Sequence, residues 1–306
     1  MKNDLRIIFM GTPEFAVPSL EVVVQNGFHV VAVITAPDKP QGRGQKLVPS
    51  PVKECALRHN LPVLQPTNLK SPEFLETLRD LNANLQIVVA FRMLPEAVWT
   101  MPALGTFNLH ASLLPQYRGA APIHWAVING ETETGITTFF LKHEIDTGSI
   151  IFQEKEPIHP DDTVGQLYER LMNKGGALVL KTVQAIADGD YPSTPQDLSI
   201  PARHAPKIFK ETCEINWNQP SEAVRNFIRG LNPFPTAWTT LNGKPYKIYK
   251  ASVVSTGSAA GNQNMDTDQK NYLHLRTADG WIAIDELQPE GKKRMTVAEF
   301  FRGNKL

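Results

Sequence analysis

The chain of 306 residues is long enough for two domains, and 42% hydrophobic and 20% charged residues are typical of a globular protein. Its formal net charge is zero, so the chain as a whole lacks the charge of a strongly basic or acidic binding protein. The two cysteines, Cys55 and Cys213, follow no metal-binding or disulfide pattern. The N-terminal apolar run is too short for a signal peptide, and no apolar run could cross a membrane, so we expect a cytoplasmic protein.

The N-terminal half alternates predicted strands and helices. The apolar run of residues 5–10 predicts a strand, and Thr12, Pro13 and Glu14 then favour a helix over 13–25. A second strand is predicted over 28–35, which completes a β-α-β unit. The continuous apolar run at 85–91 is typical of a central parallel strand. The pattern indicates a Rossmann-like α/β domain with a mostly parallel sheet. It lacks G-x-G-x-x-G, so a dinucleotide is not indicated.

Residues 36–51 interrupt this alternation. They contain four prolines, two glycines and three cationic residues without apolar periodicity, which predicts an exposed loop. One interpretation is a solvated linker between a strand and a helix. The other is a mobile basic arm for a substrate that carries phosphate, because Gly42 and Gly44 let the backbone approach closely while Arg43 pairs with a phosphate. The spacing alone leaves both interpretations open.

A candidate acyl-transfer site begins on the strand predicted over 104–110. Asn108 and His110 are two residues apart, so their side chains project from the same side of that strand. Asp146 offers a carboxylate at another junction between a strand and a loop. Amide, imidazole and carboxylate supply an oxyanion donor, a general acid or base, and its electrostatic partner. Each residue taken singly is more often structural, since asparagine and aspartate are common in turns.

The C-terminal third differs in composition. Residues 189–206 are rich in proline and form a predicted linker between a catalytic domain at 1–188 and a second domain at 207–306. That second domain contains 14 lysines and arginines against 10 acidic residues, an excess of four positive charges, which suits a phosphate backbone but also fits ordinary surface variation. A helix is predicted over 221–231. Several short strands around it predict a small β-barrel of the OB type, and they lie at residues 215–217, 237–241, 246–254, 272–277 and 280–288.

The longest motif is Asn-x-His-x-Ser-Leu-Leu-Pro-x-Tyr-Arg-Gly at residues 108–119, followed by Ala-Pro-Ile at 121–123 and Ile-Asp-Thr-Gly at 145–148. It resembles the signature of the folate-dependent formyltransferases. Further similarity at 228–238 and 287–293 extends the resemblance over almost the whole chain. It implies a formyltransferase domain followed by the OB-like domain. It also implies transfer of a formyl group from 10-formyltetrahydrofolate to an amine, without a metal.

The resemblance also implies roles for individual residues. Asn108 and protonated His110 are expected to face the developing oxyanion, and Asp146 to accept the proton of the attacking amine. Arg92 stands where the family commonly has a glycine, which adds a side chain to the wall of the pocket. The residues expected to contact the folate are Ser112, Leu113, Leu114, Pro115, Phe91, Arg92 and Leu94.

Family members that act on small amines need no arm like residues 36–51. This segment resembles the insertion with which members acting on methionyl-tRNA grip the acceptor end of the initiator tRNA. The resemblance therefore implies an enzyme that formylates methionyl-initiator tRNA for translation initiation. The sequence shows no large apolar surface stripe, so we expect a monomer. The expected tRNA contacts are Arg43, Lys46, Lys207, Arg229, Lys247, Lys292 and Lys293. Alternatives are formylation of an amino-sugar nucleotide or glycinamide ribonucleotide, hydrolysis of the formylfolate, and tRNA binding without catalysis.

Overall fold

The computed structural model describes residues 4–41, 44–197, 199–254 and 264–306. The strands are β1 (Arg6–Gly11), β2 (His29–Ile34), β3 (Lys39–Gln41), β4 (Lys46–Val48), β5 (Val63–Leu64), β6 (Leu85–Val89), β7 (Thr106–His110), β8 (Arg118–Gly119), β9 (Glu133–Phe140), β10 (Ile150–Pro157), β11 (His204–Ala205), β12 (Ala237–Leu241), β13 (Lys244–Val253), β14 (Met265–Thr267), β15 (Leu273–Arg276), β16 (Trp281–Pro289) and β17 (Met295–Thr296). The α-helices are α1 (Val17–Gln25), α2 (Pro51–Arg58), α3 (Pro72–Asp80), α4 (Glu96–Trp99), α5 (Pro122–Ile128), α6 (Val164–Asp188), α7 (Ser221–Gly230) and α8 (Val297–Phe301).

The chain folds into two compact units that are not contiguous in sequence. Unit 1 comprises Met1–Arg118, Gly135–Glu156 and Tyr168–His204. Unit 2 comprises Gly119–Thr134, Pro157–Leu167 and Ala205–Leu306. Unit 2 therefore takes two segments from the first half of the chain. The functional division into residues 1–188, 189–206 and 207–306 stays a prediction.

Unit 1 is built on a seven-stranded sheet with the strand order β10-β9-β7-β6-β1-β2-β5. Five strands, from β7 to β5 in that order, run parallel to their neighbours, whereas β9 runs antiparallel to β7. The apolar strand β6 lies between β7 and β1, and all five of its residues are buried, as expected for a central parallel strand. The predicted Rossmann-like, mostly parallel sheet is confirmed.

Helix starts in unit 1 follow local sequence signals. The side chains of Ser50 and Ser71 accept hydrogen bonds from the backbone N–H groups of the first turns of α2 and α3, and a proline follows each serine. The helix predicted over 13–25 was placed too early. Residues Glu14–Ala16 form a 3₁₀ turn, and α1 begins at Val17, because Pro18 lacks an N–H group and suits the first turn of an α-helix.

The segment 36–51 is not only a loop, which corrects the prediction. Strands β3 and β4 pair antiparallel as a hairpin, with Lys39 opposite Val48. Pro40 is tolerated there because each strand has a single neighbour, which leaves one side of its backbone without a partner strand. The Lys53 ammonium lies 2.7 Å from an Asp38 carboxylate oxygen and 2.8 Å from Gln65 Oε1. These contacts join the start of the hairpin segment to α2 and to the loop after β5.

Unit 2 contains an antiparallel sheet in the order β12-β13-β16-β15-β14, with β17 paired to β16. The sheet curls into a half-barrel, which confirms the predicted OB-like domain. The strand predicted at 215–217 is wrong, since only Glu214 makes a bridge there, to Trp238. A side-chain hydrogen bond of 3.0 Å from Trp217 Nε1 to Thr239 Oγ1 holds this segment against β12 in place of a ladder.

Helix α7 lies across the half-barrel and also against α5. A side chain at Gly230 would place its Cβ 2.6 Å from Cγ1 of Ile128, so a glycine is required for this close approach. Ile128 packs against the apolar core of unit 2, which joins a helix from the middle of the chain to the C-terminal sheet. Of the helices that the structure describes, none is both long and apolar enough to cross a membrane.

Candidate active site

Asn108 and His110 lie on β7, an interior strand of the unit 1 sheet. Val88 of β6 lies opposite Asn108 in parallel register. On the other side, Phe139 and Thr137 of β9 lie opposite Asn108 and His110 in antiparallel register. Strands on both sides therefore hold the backbone that carries these two side chains. His110 is buried at 6% exposure, and Asn108 is half-buried.

The two faces of β7 have different surroundings. Leu109 points to the helix side of the sheet, where a Cβ on Gly175 of α6 would come within 2.7 Å of Leu109 Cδ2. Asn108 and His110 alternate with Leu109 and therefore share the opposite face. The structure thus places the predicted amide and imidazole on one face.

The His110 ring is held from two sides. Its Nε2 lies 2.9 Å from the backbone oxygen of Tyr117, and its Nδ1 lies 3.9 Å from Oδ2 of Asp146. A carbonyl oxygen can only accept a hydrogen bond, so Nε2 carries the hydrogen in this arrangement. Only the doubly protonated imidazolium then presents a second N–H, on the Nδ1 side, to the Asp146 carboxylate. The structure therefore brings His110 and Asp146 together as a potential ion pair.

Asp146 lies on a tightly constrained loop between β9 and β10. Its φ of 55° is in the left-handed region, which aspartate tolerates better than most residues. Two residues later, a Cβ on Gly148 would lie 1.5 Å from the backbone oxygen of Phe140. The glycine in the Asp-Thr-Gly motif is therefore required sterically, because the loop returns directly onto the end of β9.

Gln196 holds this loop and was missed by the sequence reasoning. Its side-chain Nε2 donates hydrogen bonds of 2.8 Å to the backbone oxygens of both Asp146 and Gly148. Its Oε1 accepts a bond of 2.6 Å from Nη2 of Arg118. The residue is only 8% exposed, although it lies in the proline-rich segment predicted as a linker. Nothing in the local composition marks this glutamine as buried.

The segment after β7 contains four predicted folate contacts. Ser112 is fully buried, and its hydroxyl donates to the Gln116 carbonyl at 2.6 Å, so its side chain shapes the loop. Thr137 Oγ1 donates to the Ser112 carbonyl at 2.6 Å, and Gln153 Nε2 donates to the Leu114 carbonyl at 2.9 Å. Thr137 and Gln153 thus support the loop from the neighbouring strands, and the sequence gave no sign of either role.

Leu113 and Pro115 are half-buried, and Leu114 is buried. A Cβ on Gly135 of β9 would lie 2.5 Å from Leu113 Cδ2, so this leucine packs directly over the bare backbone of β9. The loop therefore presents an apolar surface beside the face that carries Asn108 and His110.

The predicted folate contacts after β6 have different environments. Phe91 and Leu94 are half-buried and pack against an apolar cluster of unit 1. The Arg92 guanidinium donates to the backbone oxygens of Pro66 and Thr67, the latter at 3.0 Å. The Arg92 side chain thus joins the loops after β5 and β6, and its expected contribution to folate binding is restricted to its backbone.

Most of the predicted tRNA contacts that the structure describes are exposed. Arg43 lies outside the described residues, and Lys46 is exposed on β4. In unit 2, Lys247 lies opposite Gln288 in the β13–β16 pair. Gln288 Nε2 donates a hydrogen bond of 2.7 Å to the Lys292 carbonyl, so Lys247 and Lys292 are close together. The exposed lysines of unit 2 in this set are Lys207, Lys247, Lys292 and Lys293.

Arg229 differs from the other predicted tRNA contacts. It is half-buried, its Nε donates to Asn226 Oδ1 at 2.7 Å, and its Nη1 donates to the Asp162 carbonyl at 3.0 Å. Burial, together with the positive charge of Arg225, lowers the pKa of Arg229. The guanidinium serves the packing of unit 2, so we do not keep it among the expected phosphate contacts.

One cluster resembles a metal site in its residue types. Ligand atoms of Glu21, Cys55 and His59 lie within 4.8 Å of one another. Burial and the neighbouring Glu21 raise the pKa of the Cys55 thiol to about 11, so the thiol is protonated at neutral pH. Glu21 also pairs with Arg58 at 2.9 Å. A protonated thiol and a competing cation disfavour metal binding here, and the absence of a metal stays a prediction.

Comparisons with known proteins identify the family of the chain. The formyl transferase family matches residues 5–183, and the formyl transferase C-terminal domain matches residues 207–305. A methionyl-tRNA formyltransferase of Bacteroides fragilis is 55% identical over 310 residues, which cover 99% of this chain and 96% of that protein. A protein of the same name from Phocaeicola vulgatus is 56% identical over 312 residues, with coverage of 99% and 96%.

Among solved structures, an N-formyltransferase from Helicobacter canadensis, in complex with folinic acid and dTDP-3-aminofucose, has a similar fold. Its TM-score is 0.69 at 23% identity, over 95% of this chain and all of the other. HypX from Aquifex aeolicus in complex with tetrahydrofolic acid gives 0.65 at 18% identity, over 99% of this chain and 48% of the other. Since both domains of one family match in order along nearly its whole length, the chain belongs to the formyl transferase family.

Proposed function

We propose that this protein transfers the formyl group of 10-formyltetrahydrofolate to the α-amino group of methionyl-initiator tRNA and so supports translation initiation. The observation that carries the proposal is the His110 ring, held between the Tyr117 carbonyl and the Asp146 carboxylate on the face of β7 that also bears Asn108. Relatives more than half identical over almost the whole chain are named methionyl-tRNA formyltransferases, which supports this acceptor.

The chemistry follows from the charges around His110. The free amine attacks the formyl carbon, and negative charge develops on the formyl oxygen. The Asn108 amide donates a hydrogen bond to this oxygen, and the His110 imidazolium stabilises it by charge. Asp146 accepts the proton that the attacking amine loses, either directly or through a water molecule. The tetrahedral intermediate then breaks its bond to the folate nitrogen, which leaves with a proton supplied by His110.

The folate co-substrate is expected beside these groups, in the apolar surface formed after β6 and β7. Leu113 and Leu114 follow His110 along the chain, and Phe91 and Leu94 follow the neighbouring strand β6. Open α/β sheets bind ligands at the carboxyl ends of their strands, which supports this placement. The residues proposed to contact the folate are Ser112, Leu113, Leu114, Pro115, Phe91, Leu94 and the backbone of Arg92.

The tRNA is expected to contact two basic surfaces. One is the hairpin of β3 and β4, which carries Lys46; the predicted phosphate contact Arg43 lies between these two strands in the sequence. The other is the group of exposed unit 2 lysines Lys207, Lys247, Lys292 and Lys293. The proposal includes a cytoplasmic enzyme, because its substrates are a tRNA and a soluble folate. It also includes a monomer, because the sequence shows no large apolar surface stripe.

The experiment that tests the function offers one formyl donor to separate acceptors. Purified protein and 10-formyltetrahydrofolate are incubated with methionyl-initiator tRNA, with an amino-sugar nucleotide, or with buffer alone. We expect rapid formylation of the tRNA, slow or no reaction with the sugar, and no hydrolysis above the background rate. Transfer to the sugar, or release of formate in buffer, would contradict the tRNA assignment while retaining the formyl-transfer chemistry.

A further inference from the structure

All the hydrogen-bonding groups of the Gln196 side chain are engaged at the end of the sheet that carries His110. Both hydrogens of Nε2 point to backbone oxygens of the loop between β9 and β10, at 2.8 Å from Asp146 and 2.8 Å from Gly148. Oε1 accepts from Arg118 at 2.6 Å. The amide is buried, where such bonds are stronger than in water and an unpaired partner is costly.

Gln196 is itself fixed in place on two sides. Two residues earlier, Thr194 exchanges backbone hydrogen bonds of 2.8 and 2.9 Å with Ile150, the first residue of β10. On the other side, Arg118 is the last residue but one of the motif at residues 108–119, which starts with Asn108 on β7. The segment around residue 196 is therefore part of the wall of unit 1.

The Asp146 loop depends on such a support. The residues before it, Glu144 and Ile145, are exposed, with Ile145 at 59%. Asp146 itself has a left-handed φ of 55°, which the loop must maintain against more favourable conformations. Gln196 fixes the backbone oxygens at residues 146 and 148, so it restricts the peptide units that set the direction of the Asp146 carboxylate.

We propose that Gln196 is a positioning residue for formyl transfer, which holds the Asp146 carboxylate against the Nδ1 side of His110. It touches neither substrate and acts only through the Asp146 loop. The proposal rests on the proposed function for its kinetic consequences, whereas the support of the loop is independent of which substrate the protein uses.

Two variants of Gln196 separate its contacts. Gln196→Leu removes all three hydrogen bonds, and Gln196→Glu keeps the size of the side chain and the acceptor for Arg118 but loses donation to the two loop carbonyls. We expect kcat to fall on the order of 10²-fold in both variants, because a small misplacement of a reacting group has an effect of this size. The KM for each substrate should stay within about twofold of wild type. Recovery of kcat in Gln196→Glu would overturn the proposal, because the contact with Arg118 would then be sufficient.

Gln86→Leu is the matched control. Gln86 is a buried glutamine of the same sheet at 1% exposure, and its Oε1 accepts from Thr106 Oγ1 at 3.0 Å near the opposite ends of β6 and β7. We expect it to lower the melting temperature without changing kcat. An equal loss of kcat in Gln86→Leu would indicate a general effect of removing a buried amide, and it would overturn the specific role of Gln196.

A double-mutant cycle tests whether Gln196 acts through Asp146. In an Asp146→Asn background, Gln196→Glu should cause no further loss of kcat beyond about twofold, because the group that it positions is already inactive. Multiplicative losses would overturn the proposal.

A second readout does not require activity. Hydrogen exchange of the peptide that covers residues 143–150 should accelerate in Gln196→Glu and stay unchanged in Gln86→Leu. Unchanged exchange in Gln196→Glu would overturn the proposal, even if wild-type protein failed to formylate tRNA and the proposed function were wrong.

Discussion

At the scale of single residues, Asp146 combines an unusual backbone conformation with a charge beside His110. Asparagine tolerates a left-handed φ as aspartate does, so Asp146→Asn removes the charge and leaves the loop conformation intact. We expect kcat to fall about 10²–10³-fold or more, as for loss of one group that stabilises a transition state. The melting temperature should not change. Single-turnover formyl transfer measures this. Asp190→Asn, at an exposed site, is the control, and near-normal turnover in Asp146→Asn would refute the assigned role.

The sequence selected individual candidate residues only where chemistry leaves a local motif. Asn108, His110 and Asp146 could be selected because their spacing and types match a known reaction, and the structure brings His110 and Asp146 within 3.9 Å. Gln196 could not be selected, because its proposed role depends on contacts with Arg118 and the Asp146 loop, which are distant in the chain. A glutamine among prolines and polar residues has no periodicity that would indicate burial.

At the scale of elements, strand β10 and helix α6 are joined by a buried carboxylate. Glu156 Oε1 lies 2.7 Å from Arg170 Nε, and its Oε2 lies 2.7 Å from Lys174 Nζ. Burial acts to raise the pKa of Glu156, but the hydrogen bonds from Lys174 and Arg170 outweigh burial, so the pKa lies below its usual value. This contribution to stability is therefore present above the unfolded-state pKa and is lost as the pH falls through the folded-state pKa.

We expect Glu156→Gln to lower the free energy of unfolding by about 1–3 kcal/mol at pH 7. The difference from wild type should shrink as the pH falls below about 4, where the unfolded carboxyl becomes protonated. Urea unfolding at pH 7 and at pH 3.5 measures both values. Exposed Glu76→Gln is the control, and a difference that is independent of pH would show that the charge of Glu156 does not stabilise the contact.

The hairpin of β3 and β4 is a second element with a testable role. The Lys53 and Gln65 hydrogen bonds lower the pKa of Asp38, so the carboxylate stays charged and anchors the hairpin near neutral pH. Lys53→Met should loosen this anchor and raise the KM for methionyl-initiator tRNA several-fold, with kcat and folate affinity unchanged. Steady-state kinetics with each substrate varied would check this. Lys70→Met removes an exposed lysine elsewhere and should change nothing, and an equal rise there would contradict the anchoring role.

Element boundaries were predictable where the hydrophobic pattern was strong, as at the start of β6. The hairpin was missed because each of its strands has three residues and is stabilised mainly by the other, which leaves no periodic signal in either one alone. The strand wrongly predicted at 215–217 shows the opposite error. Its alternating apolar residues are explained by packing into the unit 2 core, which requires no ladder of backbone hydrogen bonds.

At the scale of the whole molecule, zero net charge conceals an excess of four positive charges in residues 207–306. If Lys247, Lys292 and Lys293 contact phosphates, tRNA affinity should weaken with added salt, and their combined replacement by alanine should reduce the slope of log K against log salt by about 0.7–0.9 for each lost contact. Filter binding over a range of salt concentrations measures the slope. Lys70→Ala, in unit 1, is the control, and an unchanged slope in the triple variant would place the tRNA elsewhere.

The division into two units was only partly accessible from the sequence. Composition marked residues 189–206 as a boundary, but residues 119–134 and 157–167 belong by their contacts to unit 2. Nothing in those segments indicates that their partners lie about a hundred residues further along the chain. The requirement for glycine at position 230, which makes room for Ile128, can be recognised only once both helices are packed together.

This interleaving sets an order of events while the protein is being made. A ribosome adds about 5–20 residues each second, so roughly 5–20 s pass between the synthesis of Ile128 in α5 and that of Gly230 in α7. During this interval the apolar side of α5 that packs against α7 in the folded protein lacks that helix as a partner. The nascent chain therefore passes through a stage in which this apolar side of α5 is not covered by α7. A protein truncated before residue 230 would remain in that stage.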